Sequence, residues 1–175
     1  WIEQGRMPDV DDDAATTMMD EAADFLSNYG FTRYEVSNWA QYGFECRHNL
    51  AIWRGGNYVA AGCGAHGHHD GRRWWNERNA PKYVTMMEQL NTAKTGEEEL
   101  SPLQRARELV LLGLRLKEGF QWKNLLQFSL SKDQVFNNSL NDLISEKLLL
   151  SNEIALQVHP KHINVTDAIA RKILC

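Results

Sequence analysis

The chain has 175 residues, of which 43% are hydrophobic and 24% are charged, an ordinary composition for a globular protein. This length allows one sizeable domain or two small ones. No apolar run approaches the ~20 residues of a membrane-spanning helix, and the first residues do not form a signal peptide. Three cysteines without a CxxC pair argue against a disulfide framework and for a reducing, cytoplasmic location.

The net charge of −4 conceals an uneven distribution of charged residues. Residues 1–30 carry eight acidic side chains and one basic side chain. Residues 44–82 carry six basic and three acidic side chains, together with three tryptophans. Such a basic, aromatic and glycine-rich segment suits a flat anionic ligand.

Residues 8–30 predict the first helix. Three aspartates at 11–13 supply the N-cap and favourable charge in the first turn, and Gly30 predicts the end of the helix. Apolar residues at helical spacing predict the buried stripe: Met18, Ala22, Phe25 and Leu26.

Residues 31–40 are rich in aromatic and β-branched side chains and predict a single strand. A helix, a short turn and a strand form the αβ step of an α/β layer or barrel. Alternation along this strand places Glu35 and Ser37 on one face and Asn38 on the other.

Residues 41–78 contain seven glycines and predict a long irregular loop, with the apolar run 58–61 as a candidate strand. A loop of this length inside a domain is usually functional. Pro81 then begins a helix that extends to about Leu90, and residues 91–99 are predicted to be an exposed joint between domains.

The remaining sequence is mostly helical. Residues 101–104 form a capping box that begins a helix ending before Gly119, and one or two helices are predicted within 131–150. Residues 154–165 predict a small hairpin, and Thr166 is expected to cap a final helix. Helices followed by a small hairpin are typical of a winged-helix domain.

Cysteine and histidine concentrate in residues 45–69, which hold two of the three cysteines and four of the six histidines. Structural zinc sites usually pair two ligand knuckles, and residues 46–48 make a poor second one, so zinc is disfavoured. The zinc alternative would use four donors: Cys63, His66, His68 and His69.

Two other ligand-binding interpretations of this segment each have a structural alternative that the residues alone do not exclude. Gly62 and Gly64 are suited to close approach of backbone N–H groups to a ligand, but a tight turn explains their spacing equally well. His48 follows Arg47 among aromatic residues, which suits haem ligation with propionate pairing, but a hydrogen-bonded loop histidine fits equally well. The sequence indicates no His or Asp partner that would make Cys46 catalytic, so Cys46 is expected in the core.

Nucleic-acid binding is disfavoured by charge. The helix within residues 132–147, which would enter the groove of a winged-helix complex, carries three acidic side chains and two lysines. DNA affinity depends on neutralising several phosphates, and this helix offers few cations for that purpose.

Residues 34–67 read YEVSNWAQYGFECRHNLAIWRGGNYVAAGCGAHG. This block resembles the oxygen-independent coproporphyrinogen III oxidase-like branch of the radical S-adenosylmethionine (SAM) proteins, and within it the HemW-type haem chaperones. The resemblance extends over nearly the whole chain and implies an α+β fold. Residues 1–95 would be the C-terminal end of a partial (α/β)6 radical SAM barrel, and residues 96–175 a small helical, winged-helix-like domain with a β-wing.

The resemblance also implies cofactors. In this family a [4Fe–4S] cluster, held by a CxxxCxxC motif, reduces SAM to a 5′-deoxyadenosyl radical. Oxidase members decarboxylate porphyrinogen propionates oxidatively, whereas chaperone members bind haem and transfer it. This chain contains no CxxxCxxC motif, so we expect it to be part of a longer protein and to perform no radical chemistry alone.

The resemblance assigns site residues by position. His48, Asn49 and Trp53 match a His-Asn-x-x-Tyr-Trp motif whose histidine is the proposed haem-iron ligand, with Ile52 at the tyrosine position. A second set matches the glycine loop near the SAM site of the oxidases: Gly62, Gly64, Ala65 and His66.

Haem binding and transfer is the favoured function. The first alternative is true coproporphyrinogen III dehydrogenation. The second alternative is a non-catalytic winged-helix module that binds a partner or nucleic acid. The expected partners are porphyrin or haem, the missing N-terminal barrel portion and a haem-recipient protein. Surface that the missing portion would cover makes self-association a further expectation.

Overall fold

A computed structural model describes residues 4–8, 11–125, 128 and 133–174 and shows a mixed α/β architecture. In the first part, the elements are α1 (Asp12–Ser27), β1 (Thr32–Glu35), β2 (Asn38–Ala40), α2 (Arg47–Trp53), β3 (His66–His69), β4 (Arg72–Asn76), α3 (Ala80–Leu90) and β5 (Lys94–Glu99). In the second, they are α4 (Pro102–Leu114), β6 (Phe120–Gln121), α5 (Gln134–Ser145), β7 (Leu149–Ser151), β8 (Ala155–Val158) and α6 (Thr166–Leu174).

The described strands form three sheets, with strand orders β1-β2, β3-β4-β5 and β6-β8-β7. All of these neighbouring strands pair in the antiparallel direction. Over the same residues, no helix is both long and apolar enough to cross a membrane.

Helix α1 begins as predicted, but its buried stripe is different. The Asp11 carboxylate accepts hydrogen bonds from the N–H groups of Asp13 and Ala14, at 3.0 and 3.1 Å. Met18 and Phe25 are each 61% exposed, so the predicted stripe is wrong for these residues and for exposed Ala22. The helix carries two adjacent apolar stripes, and the one that is half-buried consists of Ala15, Met19, Ala23 and Leu26.

The predicted single strand at 31–40 is instead a tight hairpin of β1 and β2. The Glu35 carboxylate accepts hydrogen bonds from the backbone N–H of Ser37, at 3.0 Å, and from the Asn38 side chain. The alternation prediction is therefore wrong, because the turn brings Asn38 to the Glu35 side chain. Glu35 is fully buried, and its second oxygen has no hydrogen-bond partner among the described residues.

The region predicted to be a long loop contains α2, β3 and β4. Tyr58, from the apolar run at 58–61, forms a single bridge with His68, with two backbone hydrogen bonds of 2.9 Å. The helix at Pro81 is confirmed, with the Asn79 side chain accepting from the Lys82 N–H at 3.0 Å.

The segment at 91–99 is largely exposed, as expected, but it contains the strand β5, which pairs with β4. Opposite charges face each other across the two strands, with Arg72 3.2 Å from Glu99 and Arg73 2.7 Å from Glu98. Cross-strand pairing of this kind stabilises a strand whose own residues have low β-propensity.

The capping box of α4 is confirmed. The Ser101 hydroxyl accepts from the Gln104 N–H at 3.3 Å, and the Gln104 side chain accepts from the Ser101 N–H at 2.9 Å. Inward residues of α4, α5 and α6 pack with the third sheet into one buried hydrophobic cluster: Ala106, Leu109, Val110, Leu114, Phe120, Phe136, Leu143, Leu149, Leu156, Val158, Ile169, Ala170 and Ile173.

The predicted C-terminal hairpin is misplaced by one element. β8 pairs with the preceding β7 rather than with residues 162–165, which belong to a 3₁₀ helix, Pro160–Val165. Thr166 does not act as the expected cap, because its hydroxyl donates backwards to the Ile163 carbonyl at 2.7 Å.

Packing at Gly113 gives the first prediction. A Cβ there would lie 2.9 Å from Cα, Cβ and Cδ2 of Phe120. Gly113→Ala should therefore lower the free energy of unfolding by about 1–3 kcal/mol, despite the helix propensity of alanine. Urea denaturation measures this change, with the exposed Asn138→Ala as a helix control. An unchanged stability of Gly113→Ala would contradict the described packing.

Asp133 gives a pH prediction. A hydrogen bond from Arg107, at 2.7 Å, and one from the Phe136 N–H hold the pKa of this carboxyl below its ordinary value. A lowered folded pKa stabilises the fold above the unfolded pKa, about 3.9, and this contribution is lost as the pH falls.

Asp133→Asn keeps a capping side chain but removes this charge effect. The variant should therefore melt below the wild type near neutral pH, and the difference should shrink at about pH 3. Thermal unfolding at both pH values measures it. A difference independent of pH would show that the ion pair does not contribute.

Candidate functional site

Helix α2 is short and is held at its C-terminal end. Gly55 follows it with φ +75°, a conformation that favours glycine, and a Cβ there would lie 2.2 Å from the Leu109 side chain. The Gly55 and Gly56 N–H groups each donate back to a helix carbonyl at 2.8 Å. The helix therefore ends in a tight turn against α4.

An ion-pair network also holds this turn. Arg73 of β4 lies 2.7 Å from Glu108 of α4, and Arg105 pairs with the same carboxylate. Arg105 also donates to the Gly55 carbonyl. The second sheet, α4 and the end of α2 are thus joined through partly buried charges.

The two faces of α2 have different environments. Arg47, His48 and Ala51 are exposed, whereas Asn49 and Trp53 are partly buried. Residues four apart on a helix share a face, so Asn49 and Trp53 lie together on the inward face. The structure therefore separates His48 from the other two residues of the predicted haem motif.

Trp53 anchors the inward face. The Arg115 guanidinium lies 4.5 Å from the centroid of its ring, which is cation–π geometry. Trp53 also lines a cavity of about 420 Å³ between α2 and the start of the third sheet. Its Nε1–H is buried and has no acceptor within the described part of the chain.

Arg115 connects Trp53 to two other elements. Its guanidinium pairs with Asp167 of α6, and its carbonyl accepts from the Val36 N–H at 3.0 Å. The Lys117 N–H donates to the Tyr34 carbonyl at 3.0 Å, so the hairpin pairs with the chain segment that follows α4. The position of α2 is thus coupled to both the hairpin and α6.

His48 is exposed, and its ring has no hydrogen-bond partner among the described residues. Cys46, expected in the core, is instead an exposed free thiol at the N-cap of α2. The imidazole nitrogens of His48 are thus open to a ligand from solvent, as ligation of an iron centre requires.

The glycine loop uses its backbone groups internally. The Gly64 N–H donates to the Glu77 carbonyl at 2.8 Å, and the Ala65 N–H donates to the Gly62 carbonyl at 3.3 Å. The Asn76 side chain donates to the same Gly62 carbonyl at 3.0 Å. Gly62 and Gly64 have φ values of +103° and +67°, so the glycines permit a turn whose amides are partly occupied.

His66 and His68 lie on β3 with different environments. His66 is exposed, with its ring 6.0 Å from that of Trp75. His68, one of the four donors of the zinc alternative, is 3% exposed. Its Nδ1 lies 3.0 Å from the Gly56 carbonyl, and its Nε2 accepts from the Gly71 N–H at 3.1 Å.

His68 is therefore a structural residue whose two bonds fix one neutral tautomer. The sequence alone did not predict this structural role of His68. The role depends on the bridge between Tyr58 and His68, which brings residues 56–58 to the His68 ring. Within the described residues, no group of three or more His, Cys, Asp or Glu side chains is arranged to hold a metal ion.

Comparison with known proteins identifies the relatives of this fold. The HemN C-terminal domain family matches residues 100–162. The heme chaperone HemW of Mycobacterium tuberculosis (strain ATCC 25618 / H37Rv) is 32% identical over 174 residues, which are 99% of this chain and 43% of that protein. The chain is HemW/HemN-like. The predicted family is thereby confirmed.

Two further relatives match this chain. The mitochondrial radical S-adenosyl methionine domain-containing protein 1 of Danio rerio is 29% identical over 99% of this chain and 42% of its own length. HemW of Haemophilus influenzae is 47% identical over 57 residues, 33% of this chain and 15% of that protein. The chain thus spans less than half the length of the curated relatives it matches.

A solved structure shares the fold. Coproporphyrinogen III oxidase (HemN) from Escherichia coli, described as a radical SAM enzyme, superposes with a TM-score of 0.71. The superposition covers 89% of this chain and 39% of that chain, at 14% identity. This likeness supports the mixed α/β fold and carries no statement about activity.

The contacts of Arg115 give a stability prediction. Arg115→Met should lower the free energy of unfolding by about 1–2 kcal/mol, since it removes the cation–π contact and the ion pair. Asp167→Asn removes the ion pair alone and should cost less, about 0.5 kcal/mol. Urea denaturation of both variants measures the difference. Equal losses would show that stacking on Trp53 contributes nothing.

Proposed function

We propose that the protein binds haem and transfers it to a recipient protein, with His48 as a ligand of the iron. The observation that carries this proposal is the exposed imidazole of His48, which has no partner among the described residues and lies on a helix whose inward face is anchored by Trp53. The relatives named heme chaperone HemW support it. In this proposal, Asn49 and Trp53 orient the helix, because both face inward.

The described residues fit haem as a cargo. Imidazole is a usual protein ligand of haem iron, the His48 ring is exposed, and Arg47 beside it supplies a cation. Bound haem would supply the iron that His48 would ligate. The chain contributes the ligand and the fixed orientation of the helix that carries it.

The residues of this chain do not fit a [4Fe–4S] cluster. Cys46 and Cys63 are exposed, separate thiols, the Cys63 thiol donates to the Arg78 carbonyl at 2.9 Å, and Cys175 lies outside the described residues. We derive no radical step for this chain. A cluster in the full protein would need cysteine ligands from outside this chain.

We also propose that the glycine loop shapes the backbone beside a SAM site in the full protein. The residues involved are Gly62, Gly64, Ala65 and His66. The Gly64 and Ala65 N–H groups already donate to carbonyls of this chain. The exposed His66 ring and the open space at Gly62 would therefore face the ligand.

We propose the domain division as well. The expected boundary at residue 95 lies within β5, and the HemN C-terminal domain match begins at residue 100. We therefore place the boundary at 99/100. The first unit would close a radical SAM barrel, and the second, with the β6-β8-β7 sheet as its wing, would be winged-helix-like. The proposed surface for self-association consists of exposed Met18 and Phe25 on α1 and exposed Tyr29 just after the helix.

Haem titration followed at the Soret band tests the function. Wild type should bind saturably, and His48→Ala should bind about tenfold or more weakly, since loss of even an outer-shell partner of a metal ligand costs 10–100-fold. His69→Ala removes another exposed histidine and should bind like wild type.

Either of two results would contradict the proposal. If the wild type showed no saturable haem binding, haem would not be a ligand of this chain. Equal affinities of wild type and His48→Ala would assign the iron to another ligand.

A further inference from the structure

Arg47 differs from the arginines around α2 because it has no acidic partner among the described residues. Most arginines of the described chain are committed to carboxylates, as Arg54 is to Glu118 at 2.9 Å. The others with acidic partners are Arg72, Arg73, Arg105, Arg107 and Arg115. Arg47 is exposed and forms no ion pair or side-chain hydrogen bond with the described residues.

The position of Arg47 relative to His48 follows from helix geometry. Ala51 lies four residues after Arg47 and three after His48, so the three side chains share one face. All three are exposed. The small alanine leaves a low surface between the cation and the imidazole, over which a flat ligand can lie.

The nearest acidic residue in sequence is directed elsewhere. Glu45 is partly buried and lines a cavity of about 530 Å³ together with Tyr42, Leu50 and Arg54. This cavity contains the Leu50 side of α2, about 200° around the helix from His48. Arg47 thus keeps its charge available on the His48 side.

An uncovered aromatic ring precedes the helix. Phe44 is 80% exposed, and it lies three residues before Arg47. Tyr42 is 94% exposed but lines the inward cavity. Phe44 does not line that cavity, so its ring is available to contact the flat face of a bound ligand.

We propose that Arg47 binds a propionate carboxylate of the tetrapyrrole whose iron His48 ligates, and that Phe44 contacts the macrocycle. This inference rests on the proposed function. Arginine is suited to the role because its planar guanidinium pairs with a carboxylate through two parallel hydrogen bonds. Arg47 thereby selects tetrapyrroles that carry free carboxylates over neutral ones.

The test compares haem with haem dimethyl ester, in which both carboxylates are blocked. On the whole chain, Arg47→Gln should weaken haem binding about fivefold, the value of roughly one solvent-exposed ion pair. It should leave the affinity for the diester unchanged. Phe44→Ser should weaken both ligands by similar factors, because the macrocycle is the same in each.

Arg78→Gln is the matched control, since Arg78 is also exposed and has no ion-pair partner among the described residues. It should bind both ligands like wild type. Circular dichroism checks that each variant keeps its fold.

The outcomes separate this inference from the proposed function. Wild type that binds neither ligand overturns both. Wild type that binds haem while Arg47→Gln binds it equally well overturns the carboxylate role and leaves haem binding in place. A loss that is equal for haem and its diester also overturns it, because Arg47 would then support the helix rather than the carboxylate.

Discussion

The stacking of the Arg115 guanidinium on Trp53, 4.5 Å from the ring centroid, is the contact on which the candidate site depends. The same side chain pairs with Asp167 of α6, and its carbonyl accepts from Val36 in the hairpin. One residue therefore fixes α2 against two elements distant in sequence. Since α2 has seven residues, too few to be stable alone, its orientation is set by these tertiary contacts.

That orientation has a direct chemical consequence. With Trp53 held inward and Gly55 closed against α4 by the Arg105 contact, the opposite face of α2 must point to solvent. His48 and Arg47 lie on that face. A ligand that is to be handed to another protein has to be reachable, so an exposed imidazole on a fixed helix suits transfer better than an enclosed pocket does.

Local sequence signals predicted the elements that are closed by their own neighbours. The Asp11 cap and the Ser101 capping box need only residues two or three positions away, and both were predicted correctly. β5 was missed because KTGEEE is a poor strand in isolation, and two of its glutamates, Glu98 and Glu99, are compensated by arginines of β4. The hairpin was missed because the Glu35 side chain itself stabilises the turn.

The sequence by itself determined the family, the caps and the identity of the candidate ligand, because these reside in residue types and short spacings. The tertiary structure decided which side chains share a face. It buried His68 through contacts with Gly56 and Gly71 and turned Met18 outward. It also parted His48 from Asn49 and Trp53, since only packing against Arg115 and α4 chooses the inward face of a short helix.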